Sequence, residues 1–267
     1  MKDISFLEKN GVDIKQSLEL FGDAQTYNDT IGEFLVGIHS KINELIEMMN
    51  NSDINNYAIT VHSLKSDAKY FGFTKLAEVA EEHEMKSKEG DLYFITSHIN
   101  DLINETNNAI VLIQEYMNSD ETVQSNNENP ETNGEVYTAK TILVVDDSNI
   151  VRNFVKRIFS DEYNVGIAKD GEEAIEIIKA NKDNEFIEAI LLDLNMPKVD
   201  GFAVLEFMRQ NGLLEKMPVS IISGDSSKET IDRAFTYEIV DMLEKPFTEQ
   251  NIKMVIEKTA MYKGDNN

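Results

Sequence analysis

Residues 119–139, SDETVQSNNENPETNGEVYTA, separate two different spacings of apolar side chains, and one kind of packed layer cannot satisfy both. Before this stretch, apolar residues recur every three or four positions, which lines them along one face of a helix. After it they come in short runs divided by helical stretches, the pattern of buried strands and their crossovers. The separating stretch itself holds five acidic residues, no basic one, and the breakers Pro130 and Gly134. It has no stripe to bury, so it reads as an acidic flexible linker. Residues 1–118 and 140–267 are therefore expected to fold as two domains, and 267 residues suit two cores of ordinary size.

The first domain reads as helix throughout. Phe34, Leu35, Ile38, Ile42, Leu45 and Ile46 form one stripe, Leu76, Val79 and Ala80 a second, and Leu102, Ile103, Ala109, Ile110, Leu112 and Ile113 a third. Asp13 and Asp23 have the chemistry of helix N-caps, and the polar runs at 50–56 and 89–91 are short connections. Short connections favour antiparallel neighbours, so the expected fold is an all-α antiparallel helical bundle. In the second domain the runs 141–145, 165–168, 189–192, 219–222 and 239–243 alternate with helical stretches. That order implies an α/β fold whose parallel sheet is covered by helices on both faces.

His62 stands in the bundle segment Tyr57 to Gly72. Ala58, Val61, Leu64 or Lys65, Ala68 and Phe71 trace its buried face, which leaves His62 displaced toward solvent, near Lys65, Ser66 and Lys69. A neutral imidazole has a free nitrogen able to attack phosphorus, and the lysines could neutralise phosphoryl oxygens. From spacing alone, an ordinary surface histidine fits equally well. His39, His83 and His98 lack the paired lysines and read as surface or packing residues.

The second domain places Asp146 and Asp147, Asp193, Ser223 and Lys245 at or just beyond the carboxyl ends of four expected strands. Open α/β sheets bind ligands at that end. A lone aspartate there is usually just solvated, but the full set is harder to reach by accident. Clustered carboxylates repel one another unless a hard dication joins them, so Mg²⁺ is the inferred cofactor. Asp147 and Asp193 would hold it directly, Asp146 largely through water, and Asn195 through its backbone carbonyl. Asp193 would then be the nucleophile toward phosphorus, with Ser223 and Lys245 sharing the charge of the phosphoryl oxygens.

The segment His62-Ser63-Leu64-Lys65-Ser66, followed by Gly72 and the helical run 76–84, resembles the histidine-containing phosphotransfer domain over residues 8–117. The resemblance implies that His62 is the phosphoacceptor and Lys65 its electrostatic helper; Ser66 stands where family members commonly have glycine. The set Val145-Asp146-Asp147, Leu192 to Gly201, Ser223-Gly224 and Glu244-Lys245-Pro246-Phe247 resembles the response-regulator receiver domain over residues 139–262. It implies a flavodoxin-like (βα)5 doubly wound sheet of strand order 2-1-3-4-5, phosphorylation at Asp193 and a cis Lys245–Pro246 bond. Met242 replaces the aromatic residue that members usually carry three positions before the lysine.

Together these likenesses imply a two-component phosphorelay protein. Its partners would be a sensor histidine kinase and a response-regulator receiver or phosphotransfer protein. No Gly-rich ATP lid is visible, so the chain reads as a phosphotransfer intermediate and not an independent ATP-dependent kinase. The alternative is a phosphorylation-switched receiver whose helical domain serves protein binding or dimerisation. A linker of this length spans roughly 25 Å, which brings intramolecular contact between the domains within reach. The formal charge of -24 argues against direct nucleic-acid binding. With no cysteine, no signal-peptide-like start and no long apolar run, a cytoplasmic location without membrane insertion is expected.

Overall fold

The computed structural model describes residues 2–117 and 137–265, which form two compact units. Most of the linker expected at 119–139 lies outside the described residues. Tyr137, read from sequence as part of that linker, belongs instead to the second unit. It is 3% exposed within the hydrophobic core, and its N–H donates to Asn181 Oδ1 at 2.8 Å. The bare surface of Gly166 receives it: a Cβ there would stand 2.0 Å from the Tyr137 hydroxyl oxygen. A tyrosine ending a polar run offers no sign of this pocket, because the pocket is built from residues far along the chain.

The first unit contains α1 (Ser5–Lys9), α2 (Ile14–Phe21), α3 (Ala24–Asn50), α4 (Ile54–Tyr70), α5 (Thr74–Lys88) and α6 (Leu92–Met117). Only three residues join each consecutive pair from α3 to α6, so the chain must reverse at each turn. The result is a four-helix ring in which α3 packs on α4 and α6, and α5 packs on the same two helices. Asp13, Asp23 and Asp53 cap α2, α3 and α4 by accepting from the N–H groups of Gln16, Thr26 and Asn56 at 3.1, 2.8 and 3.3 Å. The turn after α4 needs its glycine. Gly72 has φ +76°, and a Cβ there would lie 2.5 Å from the Asp13 carbonyl oxygen. That close approach lets Asp13 N–H donate to Gly72 O at 2.9 Å, which fixes α2 against the end of α4.

The second unit runs β1 (Thr141–Val145), α7 (Asn149–Phe159), β2 (Asn164–Ala168), α8 (Gly171–Asn181), β3 (Ile187–Asp193), α9 (Gly201–Gln210), β4 (Val219–Ser223), α10 (Lys228–Phe235), β5 (Asp241–Glu244) and α11 (Glu249–Asp265). All strand pairs are parallel and the order is β2-β1-β3-β4-β5. Leu143, Val145, Ile190, Leu192 and Ile221 point to one face, where they meet Ala174, Ile177 and Ile178 of α8, Val204, Leu205 and Met208 of α9, and Ala234 of α10. On the other face Ser220 shares a 2.6 Å hydrogen bond with Thr259 of α11. With both faces covered, β1 and β4 are buried along their whole lengths, and β3 at every residue but Glu188. At the carboxyl ends of β1, β3 and β4 stand Asp146, Asp193 and Ser223.

Candidate phosphoryl-transfer sites

Helix α4 lies between α3 and α5, so residues 60–68 are buried around the whole helix and not along a single stripe. The stripe on α4 predicts a solvent-facing His62; the residue is instead 3% exposed. The cause is on the neighbouring helix. Glu84 of α5 holds the ring inward, with His62 Nδ1 2.8 Å from Glu84 Oε1. A carboxylate only accepts, so the ring hydrogen is assigned to Nδ1 and Nε2 keeps its lone pair. Nε2 is buried and has no hydrogen-bond partner among the described residues.

Glu84 is the centre of this cluster, and its role could not be read from α4 alone. Its Oε2 lies 2.6 Å from Lys65 Nζ, and its Oε1 lies 2.7 Å from Lys88 Nζ as well as close to the imidazole. Burial alone would raise the Glu84 carboxyl. The contacts with His62, Lys65 and Lys88 outweigh burial and hold it well below the usual carboxylate range. Lys65 is therefore buried and committed to Glu84, whereas Lys69 is 38% exposed and 3.7 Å from Glu81. The signal in the sequence is a pair of matching spacings: His62 and Lys65 are three apart on α4, and Glu81 and Glu84 are three apart on α5. Behind them, Lys41 of α3 donates to Ser63 Oγ at 2.7 Å and pairs with Asp67. His83 is a core residue: the Tyr57 hydroxyl donates to its Nδ1 at 2.7 Å, and its Nε2 faces the His98 carbonyl at 3.3 Å.

In the second unit the strand ends bring Asp146, Asp193 and Lys245 into one buried cluster, with the half-buried Asp147 beside it. Gly201 makes this tight, because any Cβ there would lie 2.2 Å from the Asp193 carbonyl oxygen. Lys245 Nζ bridges Asp146 Oδ2 at 2.6 Å and Asp193 Oδ2 at 2.8 Å. Asp193 Oδ1 accepts from Asn195 N–H at 3.2 Å, and Asp146 Oδ1 from Ser148 N–H at 2.9 Å. Ser223 is fully buried at the end of β4; its Oγ accepts from Asp225 N–H at 3.1 Å, and its carbonyl accepts from Lys245 N–H at 2.8 Å. The Lys245–Pro246 peptide is cis. Asp225 turns its carboxylate to Ser227 N–H and the Thr230 hydroxyl, at 2.9 and 3.0 Å.

One carboxylate oxygen from each of Asp146, Asp147 and Asp193 lies within 4.8 Å of the other two. Lys245 supplies one positive charge against these three acids. Burial, together with the neighbouring Asp193 and Asp147 charges, pushes Asp146 up to about 7 despite the lysine. For Lys245, burial opposes the charge, but Asp146 and Asp193 outweigh it and raise the ammonium above its ordinary range. An all-oxygen donor set with a deficit of positive charge fits a hard divalent cation.

A profile of the Hpt domain matches residues 21–109, and one of the response regulator receiver domain matches residues 142–257. An NtrX-like response regulator of Rickettsia bellii is 32% identical over 122 residues, covering 45% of this chain and 24% of that protein. Response regulator MprA of Mycobacterium sp. is 34% identical over 107 residues, covering 40% and 44%. The two-component response regulator ORR3 of Oryza sativa subsp. indica is 26% identical over 121 residues, covering 45% and 90%. The chain spans about a quarter of the length of the NtrX-like relatives. Along the chain, a match to the Hpt domain is thus followed by a match to the receiver domain. No helix among its described residues is long and apolar enough to cross a membrane.

Proposed function

We propose that the chain carries phosphoryl groups as phosphohistidine at His62 Nε2 and as phosphoaspartate at Asp193. The observation that carries this reading is the asymmetry of the His62 ring: Nδ1 is held by Glu84, and Nε2 alone is left without a partner. In transfer from a phosphoaspartate, the Nε2 lone pair forms the N–P bond. The P–O bond breaks and its electron pair returns to the donor carboxylate. The ring becomes positive, and Glu84 stabilises that charge through Nδ1–H. Lys65 fixes Glu84 from its other oxygen, and the more exposed Lys69 would meet phosphoryl oxygens.

At the receiver, an Asp193 carboxylate oxygen attacks phosphorus and the donor takes the bonding electron pair. Lys245 offers its ammonium and Ser223 its hydroxyl to the phosphoryl oxygens. Asp146, Asp147 and Asp193, with the Asn195 carbonyl, would hold Mg²⁺, which neutralises the acids and the incoming phosphoryl charge. The partners of this reading are a sensor histidine kinase and a response-regulator receiver or phosphotransfer protein, and ATP is not the direct donor.

The burial of His62 favours a second reading, a phosphorylation-switched receiver whose helical domain only binds partners. Incubating the wild-type chain, His62→Gln and Asp193→Asn with a phosphorylated receiver and with a small phosphodonor separates the two. The relay reading expects label on His62 from the receiver and none in His62→Gln. Label confined to Asp193 with every competent donor would establish the second reading.

A further inference from the structure

Glu84 serves two donors through one oxygen. Its Oε1 lies 2.8 Å from His62 Nδ1 and 2.7 Å from Lys88 Nζ, while Lys65 takes Oε2 at 2.6 Å. The two lysines differ in their surroundings: the Lys65 side chain is 8% exposed, and that of Lys88, one turn beyond Glu84 on α5, is 50% exposed. We propose that Lys88 tunes His62 as a phosphoryl carrier by competing with the imidazole for Glu84 Oε1. The proposal rests on the reading of His62 as phosphoacceptor with Glu84 as its anchor.

When Nε2 takes the phosphoryl group, the ring gains positive charge and the Nδ1–H bond to Oε1 strengthens. An ammonium on the same oxygen withdraws density from that bond and repels the charged ring. Lys88 therefore raises the free energy of phosphohistidine relative to the neutral ring and favours passing the group onward. The other charges facing the imidazole are Lys65 and Lys69 on α4 and Glu81 and Glu84 on α5. Lys41 of α3 is engaged by Ser63 and Asp67. Of the two lysines on Glu84, Lys88 is the one whose head group leaves the core intact when removed. It is a positioning residue, since it acts through Glu84 and not on phosphorus.

The test compares Lys88→Gln, Lys88→Arg and Glu84→Gln with Lys86→Gln, whose lysine pairs instead with Glu89 at 2.7 Å. Two quantities are read in the full chain: the pH midpoint of the His62 imidazole by nitrogen-15 NMR, and the equilibrium share of phosphate on His62 against a supplied phosphorylated receiver domain. Loss of an exposed pair predicts that Lys88→Gln raises the phosphohistidine share about threefold and the midpoint by about half a pH unit. Lys88→Arg restores wild-type behaviour and Lys86→Gln leaves it unchanged. If Lys88→Gln behaves as Lys86→Gln does while Glu84→Gln lowers the midpoint, the proposal for Lys88 is wrong and the Glu84 anchor stands. If Glu84→Gln also leaves His62 unmoved, the anchor reading fails with it.

Discussion

Asp193 and Asp146 share a single ammonium, and that sharing separates the roles that each substitution can report. Asp193→Asn removes the proposed nucleophile while keeping the shape of the buried site, so Mg²⁺-dependent labelling by a small phosphodonor is predicted to vanish. Label that persists at that site, with unchanged acid lability, would reject the assignment. Lys245→Met leaves the three acids to attract a cation but takes a donor from the phosphoryl oxygens. Metal affinity is predicted to hold or rise while the labelling rate falls about 10²-fold, a typical loss for one such electrostatic contact. Equal losses of both would make Lys245 a structural residue. At His62 the informative neighbour is Glu84, because it decides which ring nitrogen is free.

At the level of elements, the turn from α4 to α5 and the two buried clusters respond to different changes. Gly72→Ala puts a side chain at φ +76° and 2.5 Å from the Asp13 carbonyl oxygen. A destabilisation of about 1–3 kcal/mol is expected, seen as faster hydrogen exchange in α2 and α4. Unchanged exchange would show that α2 relaxes away freely. Acid acts oppositely on the two units. Burial lowers the His83 imidazole below its ordinary 6.5, and the contacts of Glu84 lower its carboxyl below 4.5, so each binds protons more readily when unfolded. The stability they contribute is present above those ordinary values and is lost as pH falls from them through the lower folded values. Asp146 is raised from 3.8 to about 7, so its folded form binds the proton more readily, and the second unit loses stability as pH rises across that window. Mg²⁺ is predicted to stabilise the second unit more at pH 8 than at pH 5, measured as the shift in its melting temperature. An equal shift at both values would mean that the carboxylates do not hold the ion.

For the whole molecule, the two sites predict two chemically different phosphates on one chain. Phosphohistidine at His62 is acid-labile and base-stable, whereas phosphoaspartate at Asp193 is lost in strong acid and in strong base. Mass spectrometry under gentle conditions, followed by acid and base challenge, is expected to find one of each. A single lability class across all competent donors would remove one of the carriers. The two Hpt and receiver profile matches fall on opposite sides of the acidic stretch, so each carrier has its own folded body.

Local chemistry and spacing made much of this legible in the sequence. Strand periodicity set Asp146, Asp193 and Ser223 at strand ends, and parallel sheets gather those ends on one edge, so their meeting follows from order along the chain. Helical spacing and the Asp13 and Asp23 caps likewise marked the bundle. The surroundings of His62 depended on tertiary structure, because Glu84 lies 22 positions away on another helix and only packing brings it to the ring. The same holds for Tyr137, whose neighbours Gly166 and Asn181 come from β2 and α8. Periodicity records which side of an element is apolar; it does not record which charged group the next element will place against it, and here that group decides how the histidine is held.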